Sequence, residues 1–167
     1  MTLLTIGLLI FVPMVVEAAR ARRNERAQKA RGGIEPPDDV YTIMRIAYPA
    51  AFLAMLAEGA VRGRSPAAIV VTGLAIFTAA KIIKWSAILA LGRFWTFRVI
   101  VVPGDRLVGS GPYRYLRHPN YVGVIGELIG AALMTRALVT GPIAVIVFAV
   151  LLYNRIAVEE RVLRGLE

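Results

Sequence analysis

A chain of 167 residues that is 57% hydrophobic and only 19% charged, with a mean hydropathy of +0.65, is too apolar for an ordinary soluble domain and reads as one small membrane protein. Its formal net charge of +9 does not point to nucleic acid, because the arginines lie between apolar runs and at their ends, where cytoplasmic loops and anionic headgroups attract them. The lack of cysteine removes disulfides, thiolate catalysis and cysteine-ligated zinc, and a single histidine removes any multi-histidine site; a carboxylate-only site is left open without a spacing motif to support it, and no metal is expected.

Residues 1–16 are uncharged and lead into a basic run of Arg20, Arg22, Arg23, Arg26, Lys29 and Arg31. A signal peptide carries its charges ahead of its apolar core, so this order favours a first span over about residues 2–19 with a cytoplasmic basic helix end. Gly32, Gly33, Pro36 and Pro37 then form a linker. A second span covers about residues 41–61, with Arg45 and Glu58 near its ends and Pro49 tolerable in lipid with a kink. After a turn at residues 62–66 comes a third span, about 66–91, carrying Lys81 and Lys84. Snorkelling to the headgroups is the plain reading of both, easier for Lys84. Residues 94–102, FWTFRVIVV, have β-type composition, yet suit the membrane interface equally through Trp95 and Phe97.

The fourth span (about 119–135) and the fifth (about 137–157) are joined so tightly that they must be antiparallel neighbours. Gly126 and Gly130 give the fourth a small-xxx-small face for close helix contact. The whole is expected to be one domain, residues 1–167: an all-α polytopic membrane protein of about five transmembrane helices. Lysine and arginine counts put the first and third linkers and the C-terminus in the cytoplasm and the N-terminus outside, with Arg136 falling on the outer side as an exception.

The stretch that looks built for chemistry is residues 105–130, DRLVGSGPYRYLRHPNYVGVIGELIG. Gly109, Gly111 and Pro112 break regular structure, and Arg114, Arg117 and His118 follow just before an apolar helix. Pro119 marks its start, since proline suits a first helical turn and pushes the preceding residue out of the helical region. His118 is therefore expected at a helix mouth, where free N–H groups, the helix dipole and two arginines would make an anion site. Asn120, Gly123 and Glu127 recur at i, i+3 and i+7 and share one face, on which glycine lets a ligand or another helix come close. Glu127 lies about two turns inside the span, where a carboxylate is expensive: it is either functional or paired with one of the two lysines. Arg155 with Glu159, and Glu160 with Arg164, stand at i, i+4 and taken alone read as ordinary surface ion pairs.

GPYRYLRHPNYVG followed by an apolar helix and then RIAVEE (residues 155–160) resembles the isoprenylcysteine carboxyl methyltransferase family, over residues 85–164. That resemblance implies a membrane-embedded S-adenosylmethionine-dependent methyltransferase acting on a lipid-like substrate at the membrane. Its cofactor pocket would face the cytoplasm of the inner or plasma membrane, formed by the last two helices and the preceding loop. Carried over by the motif, Tyr113, Arg117, His118, Pro119, Tyr121, Gly123 and Glu160 would hold the cofactor. Arg155 would orient the acceptor oxygen, with Glu159 beside it. Residues 85–104, with Asn120 and Glu127, look closer to the bacterial branch that O-methylates phenolic or pyrone lipids, which would give Glu127 the role of base. Rival readings are a phospholipid headgroup N-methyltransferase, and a scaffold or transporter; the motif charges crowd one side, unlike a transport path.

Overall fold

The computed structural model describes residues 1–36, 39–104 and 109–164, the last three of these by backbone alone. Pro37, residues 105–108 of the motif stretch, the side chain of Arg164 and Glu167 lie outside the described residues.

Five α-helices carry the chain: α1 (Leu3–Ala30), α2 (Tyr41–Arg62), α3 (Ala67–Leu91), α4 (Pro119–Thr135) and α5 (Thr140–Arg164). Four of them, α1, α2, α3 and α5, are long and apolar enough to cross a membrane. The fourth expected span is a helix of 17 residues, about 25 Å at 1.5 Å per residue, against a hydrocarbon core of about 30 Å.

α1 outruns its expected end because nothing in the basic run breaks a helix before Gly32, and the long straight side chains there are good helix formers. Its buried face is Ile6, Ile10, Glu17, Ala21, Asn24 and Gln28, one stripe at helical spacing whose lower half is polar. That polar half has defined partners. Asn24 donates to the carbonyls of Gly92 and Trp95, at 2.9 and 2.8 Å, and Gln28 to those of Arg93 and Phe94, both at 3.2 Å. Side chains of one helix thus satisfy carbonyls left open where another ends.

The apolar halves meet in a core built from Ile6, Ile10, Phe52, Met55, Phe77, Leu128, Met134 and Phe148. The most extensive contact is between α3 and α4, and it depends on glycine. A Cβ on Gly126 would stand 2.7 Å from that of Ala80, and one on Gly130 would stand 2.7 Å from the carbonyl oxygen of Gly73. The small-residue face therefore packs on α3, as expected. α5 starts at Thr140, later than expected, where the Glu58 carboxylate accepts from the backbone N–H groups of Val139 and Thr140 and from the Thr140 hydroxyl.

Residues 94–102 form neither a strand nor an exposed interfacial belt. Trp95 is buried and stacks edge-on with Phe97, and a single antiparallel pairing, Ile34 with Val101, joins this loop to the first linker. Arg98 reinforces the join with an ion pair to Glu35, which Lys29 also reaches at 3.0 Å. Burial pushes the Glu35 carboxyl up, but its bonds to Arg98 and Lys29 outweigh burial and hold it below the ordinary carboxylate range.

Candidate active site

His118 is the N-cap of α4, with φ −129° and ψ 62°, and Pro119 follows as the first helical residue. The expected helix mouth is therefore present, though it is a poorer anion site than the spacing suggests. Pro119 has no N–H, and the Tyr121 and Val122 N–H groups bond back to the His118 carbonyl at 3.1 and 3.4 Å. Two carboxylates face the mouth instead: His118 Nδ1 stands 3.5 Å from Glu159, and Nε2 stands 3.8 Å from Glu160.

Those carboxylates come from the end of α5, which folds back beside α4. Tyr121 stacks on the His118 ring, with centroids 5.4 Å apart and planes 12° from parallel, and its hydroxyl donates to Glu159. Arg155 Nε donates to the Tyr121 oxygen at 2.9 Å and to Glu159 at 3.2 Å. The i, i+4 pair of Arg155 and Glu159 is thus no surface pair, since Arg155 is only 6% exposed.

Phe97, read from the sequence only as an interfacial aromatic, and Asp39, which the sequence does not single out, also meet the guanidinium. The Phe97 carbonyl accepts from Nη2 at 2.5 Å, and Asp39 lies 3.5 Å from Nη1. Asp39 also accepts from the backbone N–H groups of Tyr41 (3.1 Å) and Val99 (2.9 Å), so it ties the first linker and the 94–102 loop together over Arg155. Among the described residues Nη1 also contacts Met44 Sδ at 3.9 Å, a weak acceptor. The Nη1 edge is thus the part of the guanidinium with the least hydrogen bonding.

Tyr113 sits in a short 3₁₀ turn, Gly111–Arg114. Burial, and then the charge of Glu159, push its phenol well above the usual range, so it stays protonated. Arg117 is largely exposed and reaches Glu160 at 3.8 Å. Of the nominated residues, Tyr113, Arg117, His118, Pro119, Tyr121, Arg155, Glu159 and Glu160 therefore come together.

Gly123 and Glu127 do not join them. A Cβ on Gly123 would stand 2.7 Å from that of Lys84, so this glycine admits α3, not a ligand. Glu127 lies in a ring of four charges with Lys81 (3.0 Å), Lys84 (3.3 Å) and Glu17, which contacts the same lysines at 2.9 and 2.7 Å. Tyr48 closes the ring by donating to Glu127 at 2.7 Å. Lys84, for which the sequence left open snorkelling or a pair with Glu127, is 3% exposed and makes the pair. Burying paired charges costs less than leaving one uncompensated, and that explains both lysines.

An α-helical membrane protein with a cluster of arginine, tyrosine, histidine and carboxylates at one end of its bundle is the class that fold and site define. The sequence model of the isoprenylcysteine carboxyl methyltransferase (ICMT) family matches residues 71–165, and the chain belongs to that family and is an S-adenosylmethionine-dependent methyltransferase. It is 35% identical over 156 residues to the uncharacterized protein YpbQ of Bacillus subtilis, covering 93% of each chain. It is 31% identical over 139 residues to an uncharacterized protein of Haemophilus influenzae, covering 83% of this chain and 81% of that one. Protein-S-isoprenylcysteine O-methyltransferase B of Arabidopsis thaliana is 31% identical over 98 residues, 55% of this chain and 48% of the plant protein. No solved structure matches.

The residues present suit that cofactor, which carries a cationic sulfur, an ammonium, a carboxylate, hydroxyls and an adenine. Asp39, Glu159 and Glu160 bring three carboxylates to the cluster, groups that suit a cationic centre. The side-chain oxygen of Asn120, beside His118, is buried without a hydrogen-bond partner among the described residues, an acceptor left for a donor from outside the chain.

Proposed function

We propose that the chain methylates a carboxylate oxygen of a lipid-like acceptor held in the membrane, at the cluster of His118, Tyr121, Arg155 and Glu159. The observation that carries this reading is the buried Arg155 guanidinium, hydrogen-bonded on its Nε and Nη2 atoms and facing the Asp39 carboxylate (3.5 Å) and Met44 sulfur (3.9 Å) on Nη1. A carboxylate is already ionised at neutral pH and needs only a cation to orient it, whereas a phenol with a pKa near 10 must first lose a proton. Glu127, the base that a phenolic or enolic acceptor would use, is engaged with two lysines and a tyrosine. The carboxylate reading is therefore preferred over the phenolic one, and the name of the Arabidopsis relative agrees with it.

Tyr113, Arg117, His118, Tyr121, Asn120 and Glu160 would hold S-adenosylmethionine, with Pro119 setting the backbone on which they stand. When bound, the cofactor supplies a methyl group on a positively charged sulfur. Arg155 orients the acceptor oxygen through its Nη1 edge, and holding two reactants in line accounts for much of the rate of such a displacement. Tyr121 fixes Arg155 and Glu159 relative to one another, and the 94–102 loop keeps water from the guanidinium, which strengthens its hold on an anion. The site faces the cytoplasm in this reading, as the loop charges imply. A reporter fused after Glu167 is then cytoplasmic and one inserted at Gly63 external, and opposite labelling overturns the orientation.

The experiment is transfer of labelled methyl by detergent-purified protein to a farnesylated cysteine analogue and, separately, to a long-chain resorcinol. A base-labile methyl ester on the cysteine analogue is expected, lost in Arg155→Lys. His118→Ala and Tyr121→Ala should weaken S-adenosylhomocysteine binding by calorimetry, roughly tenfold or more if each removes a hydrogen bond to a charged group. A base-stable ether on the resorcinol alone sinks the carboxylate reading, and unchanged binding in both variants sinks the cofactor site.

A further inference from the structure

At the end of the bundle opposite His118, the start of α3, the end of α4 and the start of α5 enclose a groove of about 640 Å³, within the range of roughly 300–1,000 Å³ typical of small-molecule sites. Its walls include Pro66, Ile69, Ile129, Leu133, Val145 and Ile146. Around it Leu138, Val139, Ile143 and Ile146 are exposed by half or more, so the groove opens towards hydrocarbon.

What distinguishes this groove is its rim. Arg136, at the tight α4–α5 turn, lines the groove and donates to the Arg62 carbonyl at 3.1 Å, while Ser65 donates to the Leu133 carbonyl at 3.0 Å. These two bonds bring the α2–α3 turn, with Arg62 and Arg64, against the α4–α5 turn. Glu58 pairs with Arg62 at 2.5 Å and caps α5. Arg64 and Arg136 have no carboxylate partner among the described residues, and both are exposed. In the orientation proposed above, loop-charge patterning disfavours arginine on this side, so Arg136 lining an apolar groove, with Arg64 next to the groove residue Ser65 in the α2–α3 turn, suggests a use.

We propose that this groove binds a phospholipid of net negative headgroup from the leaflet opposite the methyltransferase site, with an acyl chain in the groove and the phosphate at Arg64 and Arg136. Guanidinium pairs with phosphate through charge-assisted, often bidentate bonds, and a zwitterionic headgroup offers the same phosphate with its charge cancelled.

The full chain, reconstituted in nanodiscs of phosphatidylcholine with a minor fraction of phosphatidylglycerol, is released and analysed by native mass spectrometry for lipid that stays bound. Phosphatidylglycerol is expected to be retained in preference, and Arg64→Gln/Arg136→Gln should reduce its retention roughly tenfold or more, as loss of hydrogen bonds to a charged group implies. Ile69→Trp, which fills part of the groove while leaving both arginines in the chain, should reduce it as well. Equal retention of the two lipids, or retention unchanged in both variants, overturns the proposal. So does displacement of phosphatidylglycerol by the farnesylated cysteine analogue, which would make the groove part of the acceptor site. These readouts do not involve methyl transfer and stand apart from its outcome.

Discussion

Glu127→Gln separates a structural carboxylate from a catalytic one. The wild-type ring alternates two carboxylates and two ammonium groups, with Glu17 and Glu127 each 1% exposed and Lys84 3%. Its four ion contacts run from 2.7 to 3.3 Å, and its net charge is zero. Replacing Glu127 by glutamine leaves Lys81 and Lys84 sharing only Glu17, one uncompensated charge inside the bundle. Breaking a buried pair in this way costs about 3–5 kcal/mol, whereas removing both members is often close to neutral. Glu127→Gln/Lys84→Met, which leaves Glu17 with Lys81, should therefore recover most of the loss, with a coupling of about 2 kcal/mol or more in the double-mutant cycle. Unfolding in detergent followed by tryptophan fluorescence measures stability, and methyl transfer per folded molecule measures catalysis. The expected result is a large stability loss, largely restored in the double variant, with turnover per folded molecule retained. If Glu127→Gln is as stable as wild type but loses turnover together with the acidic limb of its pH–rate profile, the residue is a base and the reasoning fails.

Asp39→Ala should lower the affinity for the acceptor more than that for S-adenosylhomocysteine, because it removes a carboxylate that fixes Arg155 in place and leaves the Tyr41 and Val99 N–H groups without the acceptor that ties the linker and the 94–102 loop together. Asp39→Asn, which keeps an acceptor oxygen, should lose less, and equal effects on both ligands would count against a positioning role. Gly130→Ala should destabilise the α3–α4 contact by about 1–3 kcal/mol, the usual cost of overpacking, since its new methyl would meet Gly73 and Phe77 backbone atoms at 2.7 Å; an unchanged melting curve would refute that packing. Glu35 has a lowered folded-state pKa, so its stabilising contribution is complete above its unfolded value and fades as pH falls through the lower folded one. Trp95, buried in the joined loops, should report that loss as an acid transition in its fluorescence, and the transition should be weaker in Glu35→Gln; identical acid limbs would rule the pair out as its source.

The elements of this protein were legible because they are written locally. Apolar runs, Gly32 and Gly33, Pro119 and the glycines of α4 each act through the backbone or the nearest turn, and the expected helices lie close to the observed ones except where α1 runs on and where α5 starts late and continues to Arg164, past its expected end near residue 157. The motif around His118 likewise carried Tyr121, and RIAVEE carried Arg155 and Glu159, into one cluster. What the sequence could not decide is which charge meets which. A carboxylate inside a span must find a partner, but its type does not say on which helix: Glu17, read as the continuation of the first span, turns out to neutralise Lys81 and Lys84 beside Glu127. Asp39 stands in a linker without any spacing signal, and it became a partner of Arg155 only when the linker and the 94–102 loop were brought over α5. Gly123 has the composition of a ligand-approach glycine and the environment of a helix-packing one. Helix periodicity determines which residues share a face, whereas the identity of the facing surface is a long-range property that belongs to the tertiary structure alone.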